Sequence, residues 1–295
     1  MSTRGEIPGW LRELCERLQS DDNSHMLTVV NLNIRKVDRS MMSVLCEGLR
    51  TSTGLRSLNL TSSLIDRPGV MSSSQVLQPL LRTILPWQAS LQVLHLSYNR
   101  LTGPLDGIGK ALLTNPSLTE LHLDHNLLDC ATAVELAEGL SSRGSSLQVL
   151  QLSSNAIGDT GAISLAQALV TTKVLRTLKL NRNVIGREGG QAFVDALWKH
   201  KNTRLETLDL QNNSAISTST LGWIDALCQA NQVGRSLLID STSPVGLAPL
   251  ILAKASKKVR GVLYLLLRES HQSLIPAATP VSPQSRYKKA RYSVS

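Results

Sequence analysis

Large aliphatic residues recur along this chain at one fixed spacing. In Leu147-Gln148-Val149-Leu150-Gln151-Leu152-Ser153-Ser154-Asn155-Ala156-Ile157 they mark the first, fourth, sixth and eleventh places, with Asn at the ninth. The same spacing returns at Leu91, Leu94, Leu96, Asn99, Leu101; at Leu118, Leu121, Leu123, Asn126, Leu128; and at Leu175, Leu178, Leu180, Asn183, Ile185. Leu205, Leu208, Leu210 and Asn213 continue it, with Ala215 a weak last member. Upstream, Leu55, Leu58, Leu60 and Ile65 fit with Ser63 at the Asn place, and Leu27, Val30, Leu32 and Val37 fit with Arg35 there. The starts Leu91, Leu118, Leu147, Leu175 and Leu205 are 27, 29, 28 and 30 residues apart. A repeat of that length predicts a solenoid, in which each unit buries its apolar face against the next.

Each unit has two halves. Alternation at Leu150 and Leu152 puts both side chains on one face of a short strand. The Asn that follows can satisfy backbone groups where the chain turns off the strand. In the second half, Ala162, Leu165, Ala166 and Leu169 fall at i, i+3, i+4 and i+7, an amphipathic helix. Gly158 and Gly161 permit a tight helix start, and Asp159 or Thr160 is expected to cap it. Ile185, Gly186, Gly189, Phe193 and Leu197 repeat the layout, and Leu45 and Leu49 hold the same two helix places in the first unit.

This pattern resembles the ribonuclease-inhibitor-like class of leucine-rich repeats. The resemblance implies an α/β fold: a curved, right-handed solenoid of strand–helix coils with parallel strands on its concave face. The expected organisation is an N-terminal cap helix within 1–24, seven coils over 25–232, degenerate coils forming a C-terminal cap over 233–270, and a disordered basic tail over 271–295. Trp10, Leu11, Leu14, Cys15 and Leu18 share a face of the cap helix. The C-terminal cap is read from Leu237, Leu238 and Ile239 and from Val262–Leu267. The second coil, 36 residues long, carries its excess in a loop at 66–74, read as a tolerated surface loop ahead of an apolar helix with Leu77, Leu81, Ile84 and Leu85.

Composition narrows the function. Aromatic residues are 3% of the chain, with Phe193 the single Phe, so the core must be aliphatic. No apolar run approaches the ~18–20 residues of a membrane span, and residues 1–22 lack the apolar stretch of a secretory signal. Cys15, Cys46, Cys130 and Cys228 lie far apart, as expected of an intracellular protein, cytoplasmic or nuclear. The net charge of +9 is uneven: residues 254–295 hold nine Lys or Arg against Glu269 alone. Electrostatic attraction therefore belongs to the C-terminal end.

The outward strand places read Asn31, Asn59, His95, His122, Gln151, Lys179 and Asp209. Just beyond them come Ser97 and Tyr98, Asp124 and His125, Ser153 and Ser154, Asn181 and Arg182, Gln211 and Asn212. Such a polar, varied surface suits recognition of one partner, although any solvated strand face is polar. The candidate contact residues are His95, Tyr98, His122, Asp124, His125, Gln151, Lys179, Arg182 and Asp209. His95 and His122 should face each other with Cβ atoms about 5 Å apart. A divalent-metal site with Asp124 and His125 is conceivable, but three ligands must converge, and a histidine-rich contact for a protein is the stronger reading. Gly103-Pro104-Leu105-Asp106-Gly107-Ile108-Gly109-Lys110-Ala111 only brushes a P-loop, with Pro104 and Ala111 at required positions. Cys130 reads as a small buried residue at a helix start. No cofactor is expected.

In the tail, Arg286, Lys288, Lys289 and Arg291 form a basic cluster of nuclear-import type, echoed by Lys257, Lys258 and Arg260, beside Thr279-Pro280 and Ser282-Pro283. The expected function is a monomeric, non-catalytic interaction module that binds a protein on the concave face. One alternative is regulation of a small GTPase, because the Ran GTPase-activating protein resembles this repeat class. That family's C-terminal tail is acidic whereas this one is basic, so no catalytic residue is carried over. Another alternative is weak contact of the tail with nucleic acid or an acidic partner, with only Tyr287 and Tyr292 as stacking platforms.

Overall fold

The computed structural model describes residues 7–19, 29–33, 35–64, 72–142, 144–199, 202 and 204–232. The expected C-terminal cap, the tail with its basic clusters, and most of the 66–74 loop lie outside them. Helix α1 (Gly9–Gln19) is followed by strand–helix units: β1 (Val29–Asn31) and α2 (Arg39–Thr51), β2 (Ser57–Asn59) and α3 (Ser73–Pro79), and β3 (Val93–His95) and α4 (Ile108–Thr114). Then come β4 (Glu120–His122) and α5 (Cys130–Leu140), β5 (Val149–Gln151) and α6 (Asp159–Thr171), β6 (Thr177–Lys179) and α7 (Arg187–Trp198), and β7 (Thr207–Asp209) and α8 (Thr218–Gln232). The seven strands form one parallel sheet in chain order. Its register aligns the middle leucines, as in Leu94↔Leu121, Leu121↔Leu150 and Leu150↔Leu178.

The repeat leucines form the continuous core. Leu58, Leu94, Leu121, Leu150 and Leu178 are fully buried, and Phe193 is the largest fully buried side chain. The predicted helix face Ala162, Leu165, Ala166 and Leu169 is buried as well. Strands pair ~4.8 Å apart while packed helices need 8–10 Å. Each coil is therefore wider on its helix side, and the sheet takes the concave side. Small residues narrow the difference: a Cβ on Gly109 of α4 would lie 2.4 Å from the Glu135 carbonyl oxygen of α5.

Two polar ladders run through this core. Asn126 Nδ2 donates to the Leu123 carbonyl of its own coil and to the Leu96 carbonyl of the preceding one, and its Oδ1 accepts from Asn99 and Leu101 N–H. Asn99, Asn155, Asn183 and Asn213 repeat the scheme. The repeat Asn thus joins coils as well as closing its own turn. Ser63 makes the equivalent inter-coil bond to the Leu32 carbonyl. Arg35 does not join the ladder, and its guanidinium instead lies 4.8 Å from the centre of a Trp10 ring on α1. The second ladder has no counterpart in the sequence reading. Gln88, Asn115 and Asn202, each three residues before a repeat start, donate to backbone carbonyls of the preceding helix end.

The helix starts correct one expectation. Asp159 does not cap its own helix; Gly158 holds the cap position of α6 without a side-chain bond. Asp159 Oδ1 instead accepts from Gly186 and Gly189 N–H at the start of α7, at 2.7 and 2.8 Å. Asp38 and Asp129 do cap their own helices, α2 and α5. In the second coil, Ser72 and Gln75 form a capping box, so 72–74 belong to the start of α3 rather than to a loop. The predicted apolar helix then continues as a π-helical turn, Leu80–Ile84, directly after Pro79, which has no N–H to donate.

Candidate functional site

The coil that buries the strand leucines turns the residues on either side of them outward. Two columns therefore face the concave side. One is the expected column Asn31, Asn59, His95, His122, Gln151, Lys179 and Asp209. The other, missed in the sequence, is Val29, Ser57, Val93, Glu120, Val149, Thr177 and Thr207, in register one residue before each central leucine. Period-two alternation was the signal for it.

His95 pairs directly with His122, and their ring centroids are 4.3 Å apart at a 34° tilt. His122 Nε2 lies 3.2 Å from Glu120 Oε2. Burial, and to a lesser extent His122, holds the His95 imidazole below its ordinary range, against the opposing pull of Glu120. One coil position further on, Tyr98 lies stacked on His125, with centroids 4.2 Å apart and planes within 9°. Four rings from two coils thus form two adjacent pairs.

Ser62, Tyr98, His125, Ser154, Arg182 and Asn212 all adopt a left-handed backbone, two residues after the second strand leucine of their coils. That conformation turns the chain off the strand; all of these residues but the half-buried Ser154 are exposed. The residue just before is buried or half-buried in every coil but the last, where Gln211 is exposed. Ser97 and Ser153 are buried, and Asp124 Oδ1 accepts from Ser153 N–H of the next coil at 2.8 Å. Ser97 and Ser153 therefore serve the coil-to-coil joint more than the open surface. Asp209 Oδ1 accepts from Gln211 N–H and stands in register opposite Lys179, while the side chains of Lys179 and Arg182 make no hydrogen bond or ion pair among the described residues. Among the described residues no group of three or more His, Cys, Asp or Glu is placed to hold a metal ion. No described helix is long and apolar enough to cross a membrane.

Cys130 is half-buried rather than buried, and its Sγ accepts from Gly158 N–H at 3.3 Å. The P-loop-like stretch is the start of the short helix α4, with Gly107 at φ 101° in the cap position. All four cysteines are free thiols, and burial pushes Cys46 up to about 12.

Family models described as "Leucine Rich repeat" match residues 145–166 and 173–194, and one described as "Leucine Rich Repeat" matches 90–111. The mouse NACHT, LRR and PYD domains-containing protein 12 is 29% identical over 207 residues, 70% of this chain and 19% of its own length. The pig ribonuclease inhibitor is 28% identical over 146 residues, 49% of this chain and 30% of its own length. The matched stretch thus spans less than a third of either relative. The solved structure of leiomodin-1 actin-binding site 2 aligns with 77% of this chain and 91% of its own at 16% identity, with a TM-score of 0.37, a likeness that carries no functional argument. The repeat spacing, the strand–helix coils and the repeat-model matches make this chain a leucine-rich-repeat solenoid, similar in sequence to the ribonuclease inhibitor.

Proposed function

We propose that the chain is a binding module without catalysis of its own, whose protein partner docks on the concave strand face and on the rim where the strands end. The carrying observation is an internal contrast. At the central inward place, six of the seven coils hold the same residue, Leu58, Leu94, Leu121, Leu150, Leu178 and Leu208, with Val30 in the other. At the next outward place, one residue on, they hold Asn, Asn, His, His, Gln, Lys and Asp. Packing keeps the first column uniform; the second is free to vary and presents a different group on each coil. The free thiols support a reducing, intracellular setting, cytoplasmic or nuclear.

Alanine at His122, Lys179 and Arg182 tests this. Captured partner recovered by cross-linking from the native cell should fall, while circular dichroism and thermal midpoint stay within a few degrees of wild type. Unchanged recovery removes the concave face from the account.

A further inference from the structure

The helix side of the solenoid opens into a groove between α7 and α8. Between earlier helices glycine closes the joint. A Cβ on Gly161 of α6 would lie 2.8 Å from the Ala133 Cβ of α5, and one on Gly189 of α7 would lie 2.8 Å from the Ala162 Cβ of α6. Thirty residues after Gly189 and Gly190, α8 carries Ser219 and Thr220 instead. Side chains stand where glycine allowed close approach, and a groove of about 350 Å³ separates the two helices.

Gln191, Val194 and Trp198 line one wall of it, and Ser219, Thr220 and Trp223 the other. The two indoles meet edge to face, with ring centroids 5.9 Å apart and planes at 74°. Trp223 is 43% exposed, and neither indole N–H has a hydrogen-bond partner among the described residues. Paired rings with unspent donors suit a polyproline II segment. Its prolines pack on aromatic faces, and its carbonyls bond nothing within their own helix.

The chain itself holds such a segment. Pro280-Val281-Ser282-Pro283 is its one P-x-x-P, and at three residues per turn both prolines fall on one face. Arg286, Lys288 and Lys289 follow, and the charged residue of α8 is Asp225, so α8 presents them no like charge. Reach is ample: Pro280 follows Gln232 by 48 residues, up to ~160 Å of extended chain, and Trp223 lies ~14 Å back along α8. A further coil would add to β7 on the side away from β6, which leaves this groove open.

We infer that the groove between α7 and α8 binds the Pro280–Pro283 segment of the same chain, with the prolines set on Trp198 and Trp223 and the indole N–H groups donating to the segment's carbonyls. The tail's basic cluster is then held on the helix side, opposite the strand face. The inference does not depend on the docking face proposed above.

Indole N–H signals of the full chain labelled with ¹⁵N-tryptophan test it. Pro280→Ala/Pro283→Ala should shift the Trp198 and Trp223 signals and leave those of Trp10 and Trp87 in place. A tether supplies an effective concentration on the order of 1 mM, so a dissociation constant of ~0.1 mM keeps about nine chains in ten docked and slows indole exchange about tenfold. The double variant should lose that protection, and a peptide of residues 276–287 added to it should restore the wild-type positions. In Trp223→Ser, whose fold circular dichroism checks, the Trp198 signal should no longer respond to the proline substitutions. Signals unmoved by the double variant overturn the inference, whatever else the groove binds. So do shifts that appear only as protein concentration rises, since a second copy would then supply the segment.

Discussion

Asn126→Ala should be among the costliest single polar truncations in the solenoid. The side chain is 5% exposed, and its Oδ1 is the acceptor for the N–H groups of Asn99 and Leu101, both at 3.0 Å. Alanine orphans both donors inside the stack. The carbonyls fare better, because Leu96 keeps Asn99 Nδ2 and Leu123 keeps Asn155 Nδ2. A buried, unsatisfied donor costs about 1–3 kcal/mol, so the loss should be about 2–6 kcal/mol. Asn155→Ala is the internal control: its Oδ1 serves one N–H, that of Leu128, at a half-buried place. Its loss should be about 1–3 kcal/mol. Urea unfolding gives both values, and native-state hydrogen exchange should show faster exchange at the Asn99 and Leu101 amides. Equal losses in the two variants, or a loss below about 1 kcal/mol at Asn126, would refute the ladder account.

Three further outcomes follow from the packing and the charges. Gly189→Ala places a Cβ 2.7 Å from Asp159 Oδ1 and 2.8 Å from the Ala162 Cβ, so it should lose about 1–3 kcal/mol in urea unfolding despite alanine's better helix propensity; Gly9→Ala, with nothing within 4 Å, should not. His95 is held below its ordinary 6.5, so the unfolded chain binds the proton more readily, and stability should fall as pH drops through about 6.5 and level off below the folded value. His95→Gln should flatten that slope in pH-dependent unfolding. Burial, then Asp106, Glu138 and Asp129, raise the Glu135 carboxyl, and its Oε2 has no hydrogen-bond partner. Glu135→Gln should therefore raise the thermal midpoint at pH 7.

What the sequence revealed was local to a coil, and what it hid lay between coils. The leucine spacing sufficed for the strands, the helices and their order, because burial alone dictates it. His95 opposite His122 was legible because constant spacing implies constant register. Asp159 was assigned to its own helix because an N-cap is a short-range pattern; its bonds run to residues 27 and 30 places away. The second ladder escaped for the same reason, since Gln88 and Asn202 look like ordinary helix-end residues until the preceding helix end is beside them. Glu120, and with it the bond that orients His122, was missed by following only one of the two outward columns. Ser97 and Ser153, read as surface residues, are covered because the next coil closes over them.

Photocrosslinking within one coil tests docking on the concave face most directly. A photoreactive residue replaces Gln151 on the strand face or Gln167, exposed on the helix side, in the full chain expressed in its native cell. The account predicts a discrete partner adduct from position 151 and none from 167. An adduct from 167 with none from 151 would contradict it.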